Sequence, residues 1–389
     1  MRLEAIQVAL RTENLDGWLF FDHHQRDPLA YRVLGLTPER TVTRRWYYLI
    51  PAEGEPRGLV HRIEANVLDS LPGPKARYAS WQEQIGCLER LLAGCRRVAM
   101  QYSPGCALPQ IAMVDAGTVE LVRRFGVEVV SSADLVQMFE ARWTAHNLDC
   151  HLEAARRVDN IRAEAFRWVG EKLRTGSSVG EYAVKQFILE RFAANGLITD
   201  HGPIVAAGMN SSKPHYEPQA GCDRTIGRGD VLLIDLWARL KEAGGVYYDV
   251  TWVAFCGDEP PEAVQRVFRV VSEARDRAVA LVRQRILAGE EIRGFEVDDA
   301  ARNYIRQQGF GHCFTHRTGH SIGSEVHGAG ANMDNLETHD ERRIIPWTCF
   351  SVEPGIYLDD FGIRSEVNVF VGDREVRVTG EIQKEIVRI

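Results

Sequence analysis

The chain lacks any Cys-x-x-Cys pair, and its eight cysteines (Cys87, Cys95, Cys106, Cys150, Cys222, Cys256, Cys313 and Cys349) form no tight framework. That excludes a small disulfide scaffold and reads as free thiols in a reducing cytosol. No apolar run approaches the ~20 residues of a membrane-spanning helix. The first residues, Met1 to Gln7, show neither the apolar core nor the cleavage site of a secretory leader. The expectation is a cytoplasmic protein without a membrane partner. Basic charge is also in short supply, with 47 Lys and Arg against 54 Asp and Glu for a net −7, and no stripe gathers it. Nucleic acid is therefore excluded as the main partner. Low-complexity tracts are absent, and 389 residues at 45% hydrophobic content suffice for two domains with their own cores.

What is present divides near residue 145. In the first part Gly17 to Phe21, Arg45 to Ile50 and Arg97 to Gln101 read as strands, and part of Ala107 to Phe125 as a helix. Residues 1–145 are therefore expected to form an α/β domain. Its His23-His24 pair reads as a solvated loop. In 146–389 the character changes. Leu152, Ala155, Val158 and Ile161 recur at helical spacing. Ser178 to Glu181 fits a capping box ahead of a helix from Tyr182 to Ala194, with Gly196 as its stop. Pro260-Pro261 opens what reads as the longest helix, striped with Val264, Val267, Phe268, Val271, Ala274 and Ala278 and closed by Gly289.

Acids occur in unusual places between these helices. Val231 to Trp237 is an apolar run containing Asp235, and Val246 to Phe255 contains Asp249; Ala238 to Gly245 reads as the hairpin connection. Ser351 to Tyr357 with Glu353, then Ile363 to Val371 with Glu366, repeat the plan. In the last strand Arg364, Glu366 and Asn368 share one face, and Ile363, Val367 and Val369 the other. The repetition suggests an α+β domain with pseudo-two-fold symmetry. Four of the twelve histidines (His312, His316, His320 and His327) lie in one short stretch among glycines. Cys313, in the same stretch, is flanked by His312 and Phe314 and reads as a core-filling residue rather than a nucleophile.

A lone Asp in a strand can cap a turn or pair with Arg. Four buried acids are costly and would ordinarily take up protons. If Asp235, Asp249, Glu353 and Glu366 converge, two divalent ions balance their charge and leave His320 as a neutral nitrogen ligand. This mostly hard oxygen set suits Mn²⁺ and tolerates Co²⁺, Zn²⁺ or Fe²⁺. Such a pair activates water and polarises a carbonyl, with Glu353 placed to shuttle a proton.

Gly319-His320-Ser321-Ile322-Gly323, Glu325-Val326-His327, Glu353 to Tyr357 and Gly362 to Glu366 resemble the creatinase/prolidase-like family of "pita-bread" metallopeptidases. So do Asp235, Asp249-Val250-Thr251 and the segment Ala207 to Tyr216. The motifs span His201 to Val371 in the family's order, and the first domain resembles the family's creatinase-type N-terminal domain. The resemblance implies that Asp235 chelates one ion, that His320 and Glu353 bind the other and help to hold the pair, and that Asp249 and Glu366 bridge. It further implies that His215 and His327 contact the substrate carbonyl and stabilise the tetrahedral intermediate, that His316 lines the site, and that Arg364 supports the ligands. His312 and His339 read as bystanders.

Relatives of similar length and plan are Xaa-Pro dipeptidases and aminopeptidases P, which cut the bond before proline as dimers or larger oligomers. The expectation is an Xaa-Pro dipeptidase, a homodimer with two Mn²⁺ acting on small Xaa-Pro peptides. The rivals are an aminopeptidase P for longer peptides, a creatinase-like C–N hydrolase, and a non-catalytic binding module. Four features depart from the family pattern: Leu236-Trp237 after the first acid, a hairpin a few residues longer, Trp252 where Arg is frequent, and Ser321 where Gly is frequent. Trp237 and Trp252 are therefore expected to reshape the substrate pocket.

Overall fold

The computed structural model describes residues 2–37 and 41–389. The chain divides into two units, Met1–Glu140 and Ala141–Ile389. In the first, six strands are interleaved with helices: α1 (Leu3–Thr12), β1 (Gly17–Asp22), α2 (Pro28–Leu34), β2 (Trp46–Pro51), β3 (Arg57–His61), β4 (Lys75–Tyr78) and α3 (Trp81–Leu91). Then follow β5 (Arg97–Met100), α4 (Ala116–Arg123), β6 (Glu128–Ser131) and the short α5 (Ala133–Val136). The sheet runs β4-β3-β2-β1-β5-β6. Its central strands β1 and β2 are buried along their whole length, which explains their continuous apolar sequence.

The second unit opens with α6 (Ala145–Arg174), capped by a reciprocal Thr144–Asn147 box. At 30 residues it outlasts α8 (27 residues), so the helix after Pro260-Pro261 is not the longest. Next come α7 (Glu181–Ala194), β7 (Leu197–Ile198), β8 (Ile204–Ala207), β9 (Val231–Leu240), β10 (Tyr248–Phe255), α8 (Glu262–Ala288) and α9 (Gly294–Gln307). The chain closes with β11 (Ser321–Ile322), β12 (Thr348–Val352), β13 (Gly355–Tyr357), β14 (Gly362–Arg364), β15 (Val367–Val371), β16 (Val376–Thr379) and β17 (Val387–Arg388). One sheet orders as β17-β10-β9-β7, with β8 also on β9; a second as β11-β12-β15-β16; β13 and β14 pair alone.

Strand alternation sorts the core. Leu232, Ile234, Leu236 and Ala238 face α6 and α7, whereas Val231 and Leu233 join α8, α9, β12 and β15 in the other cluster. Each half is thus a helix pair laid over a sheet that is antiparallel except for the parallel β10–β17 pairing.

Two local expectations are corrected. Ser178 caps nothing: the N-cap of α7 is Gly180. Glu181, the first helical residue, is fully buried and turned the other way. Its carboxylate accepts from the Ala207 and Arg224 amides (2.6 and 2.9 Å), the Tyr216 hydroxyl (2.6 Å) and Asn210. These bonds outcompete a cap because they satisfy a buried charge. The second correction concerns the long hairpin expected from Ser351 to Val371. It is two hairpins, β12–β15 and β13–β14, interrupted at Glu353-Pro354 and Ser365-Glu366. At the interruption the Glu353 amide turns to the Thr318 carbonyl (2.7 Å) and the Glu366 amide to Thr251 (3.2 Å). The two acids therefore sit in the break, not within a strand.

His151, buried in α6, bonds the Tyr247 carbonyl and the Thr379 hydroxyl, each at 2.7 Å. Burial lowers its pKa to about 4, so the folded state binds it neutral. The stability this supplies is present above the unfolded value of 6.5 and is lost as pH falls toward 4, up to roughly 3 kcal/mol. Denaturant midpoints at pH 7 and pH 4.5 should show this loss, and a His151→Gln variant should show less of it.

Candidate metal centre

The β9–β10 register sets Asp235 opposite Thr251 and Trp237 opposite Asp249. Odd-numbered side chains of both strands share one face, so the two aspartates become diagonal neighbours there. From the other half, the strand break offers Glu353 and Glu366, and the segment entering β11 offers His320. Ligand atoms of Asp249, His320 and Glu366, all buried, lie within 4.8 Å of one another. His320 Nε2 stands 3.5 Å from Asp249 Oδ2 and 3.3 Å from Glu353 Oε1. Because His320 Nδ1 lies 3.1 Å from the Ser321 carbonyl, which can only accept, Nδ1 carries a hydrogen and Nε2 is the atom turned to the carboxylates. Two carboxylates facing Nε2 call for positive charge there, either a proton on the ring or a cation between them.

The acids are held from behind. Arg364 donates to Asp235 Oδ2 (2.5 Å) and to Thr251 Oγ1 (3.0 Å), and Thr251 in turn donates to Glu366 Oε2 (2.8 Å). Asn368 clamps the backbone of Asp249, donating to its carbonyl (2.6 Å) and accepting from its amide (3.0 Å). Ser351 donates to Glu353 Oε1 (3.0 Å) and accepts from the His320 amide (2.9 Å). Gly319 permits this approach, since a Cβ there would stand 1.9 Å from the Ser351 carbonyl oxygen.

Three carboxylate oxygens remain buried without a partner: Asp235 Oδ1, Asp249 Oδ1 and Glu366 Oε1. Their companion oxygens and backbones are held by neighbours, so these free oxygens fit cation ligands. Electrostatics agree. Burial, reinforced by neighbouring carboxylates, pushes Glu366 well up, and burial raises Asp249. Asp235 rises to about 7, again through burial, against the pull of Arg364. For Glu353 burial is outweighed by His320, His316 and Arg364, and it is lowered. Burial depresses His320, but its bond to Asp249 and the charges of Glu353 and Asp249 raise it overall. The cluster is short of positive charge, which bound divalent cations supply.

The cluster opens into a cavity of about 420 Å³ lined by Asp235, Asp249, His320, Glu353 and Arg364 together with His215, His316, His327 and Trp237. Glu366 lies beneath the floor, 1% exposed. His215 and His327 are exposed at the rim, and the His327 ring meets His320 edge-on at 4.4 Å. His316 donates from Nδ1 to the Arg317 carbonyl and accepts at Nε2 from Tyr357, both at 2.7 Å. Burial takes its pKa down to about 4, keeping it neutral. The buried Asp298–Arg302 pair fixes this segment: Arg302 donates to the His316 carbonyl (2.7 Å) and Asp298 accepts from Thr318 (2.9 Å).

His312 is exposed outside the cavity, and His339 bonds Asn335 at the surface. Cys313 is buried in the core with its thiol pushed up by burial. Trp237 is a cavity wall, but Trp252 is not. Its ring packs under the Arg162 guanidinium at 3.5 Å, on the side facing α6, so it cannot reshape this pocket. Even numbering on β10 points it away from Asp249 and Thr251. Sequence reasoning passed over Tyr357, Ser351, Asn368 and Glu181 as positioning groups. The i, i+2 spacing of Ser351 with Glu353 and of Glu366 with Asn368 was the available signal. A larger cleft of about 780 Å³ in the first unit, lined by Arg26, Arg44 and Arg45 among others, contains none of these groups.

The site defines a metal-dependent hydrolase, and the comparisons agree. Residues 149–373 match metallopeptidase family M24, more than half of the chain. The chain belongs to that family and is a metallopeptidase. The Xaa-Pro dipeptidase of Pyrococcus horikoshii is 28% identical over 219 residues, 56% of this chain and 57% of that protein. The probable dipeptidase PepE of Mycobacterium tuberculosis is 25% identical over 337 residues, 85% of this chain and 82% of its own. The chain thus spans little more than half of the Pyrococcus relative but most of PepE. Among solved structures, dipeptidase PepE from Mycobacterium ulcerans aligns with a TM-score of 0.72 at 22% identity, covering 100% of this chain and 96% of that one. The fold is accordingly a small N-terminal α/β domain followed by a pita-bread catalytic domain. Among the described residues, no helix is long and apolar enough to cross a membrane.

Proposed function

We propose that this chain hydrolyses the peptide bond preceding proline in dipeptides, using two divalent ions with Mn²⁺ as the first candidate. The observation that carries the reading is the set of three buried, unpartnered carboxylate oxygens on Asp235, Asp249 and Glu366 beside His320 Nε2. Asp235, Asp249, His320, Glu353 and Glu366 would hold the metals, which when bound supply activation of water and of the substrate carbonyl. Glu353 takes the proton from the attacking water and passes it to the leaving amine nitrogen of proline. His215 and His327, at the rim, donate to the substrate carbonyl oxygen as charge develops on it. Arg364 fixes Asp235, and Tyr357 fixes His316. The Trp237 side chain forms part of the cavity wall beside these groups.

The cavity volume fits a short peptide, and the two relatives named above carry dipeptidase names. Eight free cysteines support a cytoplasmic setting, and the family resemblance carries the homodimer. The test is turnover of Mn²⁺-loaded protein on Xaa-Pro dipeptides, Xaa-Pro tripeptides and Xaa-Ala dipeptides. Cleavage confined to Xaa-Pro dipeptides is expected. Equal cleavage of tripeptides would make it an aminopeptidase, and robust turnover after metal removal would overturn the metal-dependent mechanism.

A further inference from the structure

Far along the hairpin from Asp235 and Asp249, a second group of side chains with ligand atoms within 4.8 Å of one another comprises His146, Cys150 and Glu242. We propose that these three form a separate site for a thiophilic divalent cation of the Zn²⁺ class, which ties the β9–β10 hairpin to the start of α6.

His146 and Cys150 are four residues apart in the first turns of α6 and so project from one face. Glu242 comes from the connection between β9 and β10. Cys150 Sγ lies 3.1 Å from Glu242 Oε1, 3.6 Å from His146 Nε2 and 3.9 Å from His146 Nδ1. Tetrahedral zinc, with Zn–S near 2.3 Å and Zn–N near 2.0 Å, sets its sulfur and nitrogen about 3.5 Å apart. The separations are close to those values, and a turn of the imidazole brings the Nδ1 lone pair to the point between sulfur and carboxylate. One thiolate, one imidazole and one carboxylate form a borderline-soft set that favours Zn²⁺ over Mn²⁺ or Mg²⁺.

One ring nitrogen of the imidazole is already committed. His146 Nε2 lies 2.9 Å from the Ala243 carbonyl, so Nε2 carries the hydrogen and Nδ1 keeps its lone pair. Histidines that bind metals characteristically donate their other ring N–H in this way. The hairpin tip makes room for the ring: at Gly244, where φ is +84°, a Cβ would stand 2.6 Å from the imidazole. Asn147 donates to the Gly244 carbonyl (2.8 Å) and holds the tip in place. His146 and Glu242 are exposed and Cys150 is buried. An ion therefore enters from solvent, and water completes its coordination. The Cys150 S–H now donates to Glu242. Burial and that carboxylate push the thiol up to about 11. Binding replaces this proton with the cation and releases it to solvent, leaving a metal–thiolate bond.

The experiment is Co²⁺ titration of the chelator-treated full chain, read by thiolate-to-cobalt charge-transfer absorption in the near ultraviolet. The catalytic cluster contains no sulfur, so it contributes nothing to that band. The band is expected in the unmodified chain and absent in Cys150→Ser. In His146→Gln and Glu242→Gln, whose exposed side chains leave folding intact, the apparent affinity should fall by at least about tenfold. Zn²⁺ should also raise the thermal midpoint less in these two variants than in the unmodified chain. No band at saturating Co²⁺, or a band undiminished in Cys150→Ser, overturns the proposal and leaves a hydrogen-bonded staple.

Discussion

Glu353→Gln is expected to lower turnover of an Xaa-Pro dipeptide by about 10² to 10⁴-fold, and His320→Ala by at least as much. Glutamine preserves the shape of Glu353, and its amide oxygen can still accept from Ser351, which now donates at 3.0 Å. It removes the charge that faces His320 Nε2 at 3.3 Å and the basic oxygen that receives the proton. His320→Ala takes away the nitrogen between Glu353 and Asp249. The first unit should stay folded in both variants, because it has its own apolar cluster, built around Leu19, Tyr47, Leu88 and Val98. Steady-state kinetics with metal content measured on the same samples tests the assignment. Near-normal rates in either variant would refute it.

Removing the metal is the second large effect. Three buried acids and the half-buried Glu353 crowd around the guanidinium of Arg364, so a chelated protein should melt at a lower temperature and lose peptidase activity. Reloading the ions stabilises by about 2.7 kcal/mol for each site held at a hundredfold excess over its Kd. The sign of the pH dependence separates the two forms. In the chelated protein the Asp235 pKa is raised by burial to about 7 from 3.8. The stability that its proton supplies is full below the unfolded value and is lost as pH rises through 7. Metal needs the ionised carboxylates, so the loaded form gains where the chelated form loses. The difference in thermal midpoint between the two should therefore be larger at pH 8 than at pH 5. Taking the difference also removes the contribution of His151, which is common to both forms. An equal gap at both values would separate metal binding from Asp235.

Much of this was legible from period-two alternation. It placed Arg364, Glu366 and Asn368 on one face, and the structure turns all three toward the aspartates. The same rule, applied to β10, would have turned Trp252 away from the site; proximity in sequence to Asp249 suggested otherwise. Local pattern also failed at Glu181, since Ser178 to Glu181 has the spelling of a capping box. Its true partners, Ala207, Asn210, Tyr216 and Arg224, lie 26 residues or more downstream, and no window of a single sequence weighs them. The break at Glu353-Pro354 depended on Thr318, and the break at Glu366 on Thr251. Tyr357 was hidden for the same reason. Its hydroxyl acquires a role only when His316 and Arg364 meet it in space.

Each acid in this cluster is braced: Asp235 by Arg364 and Glu366 by Thr251 at their carboxylates, Asp249 by Asn368 through its backbone, and Glu353 by Ser351 two residues before it. Ligands so braced cannot spread, and a site that cannot spread sorts ions by radius. Calcium, which takes six to eight oxygens at about 2.3 to 2.6 Å, would have to push these strands apart. The hydrogen bonds behind the carboxylates thus act as a size gauge, built into the β-sheets themselves.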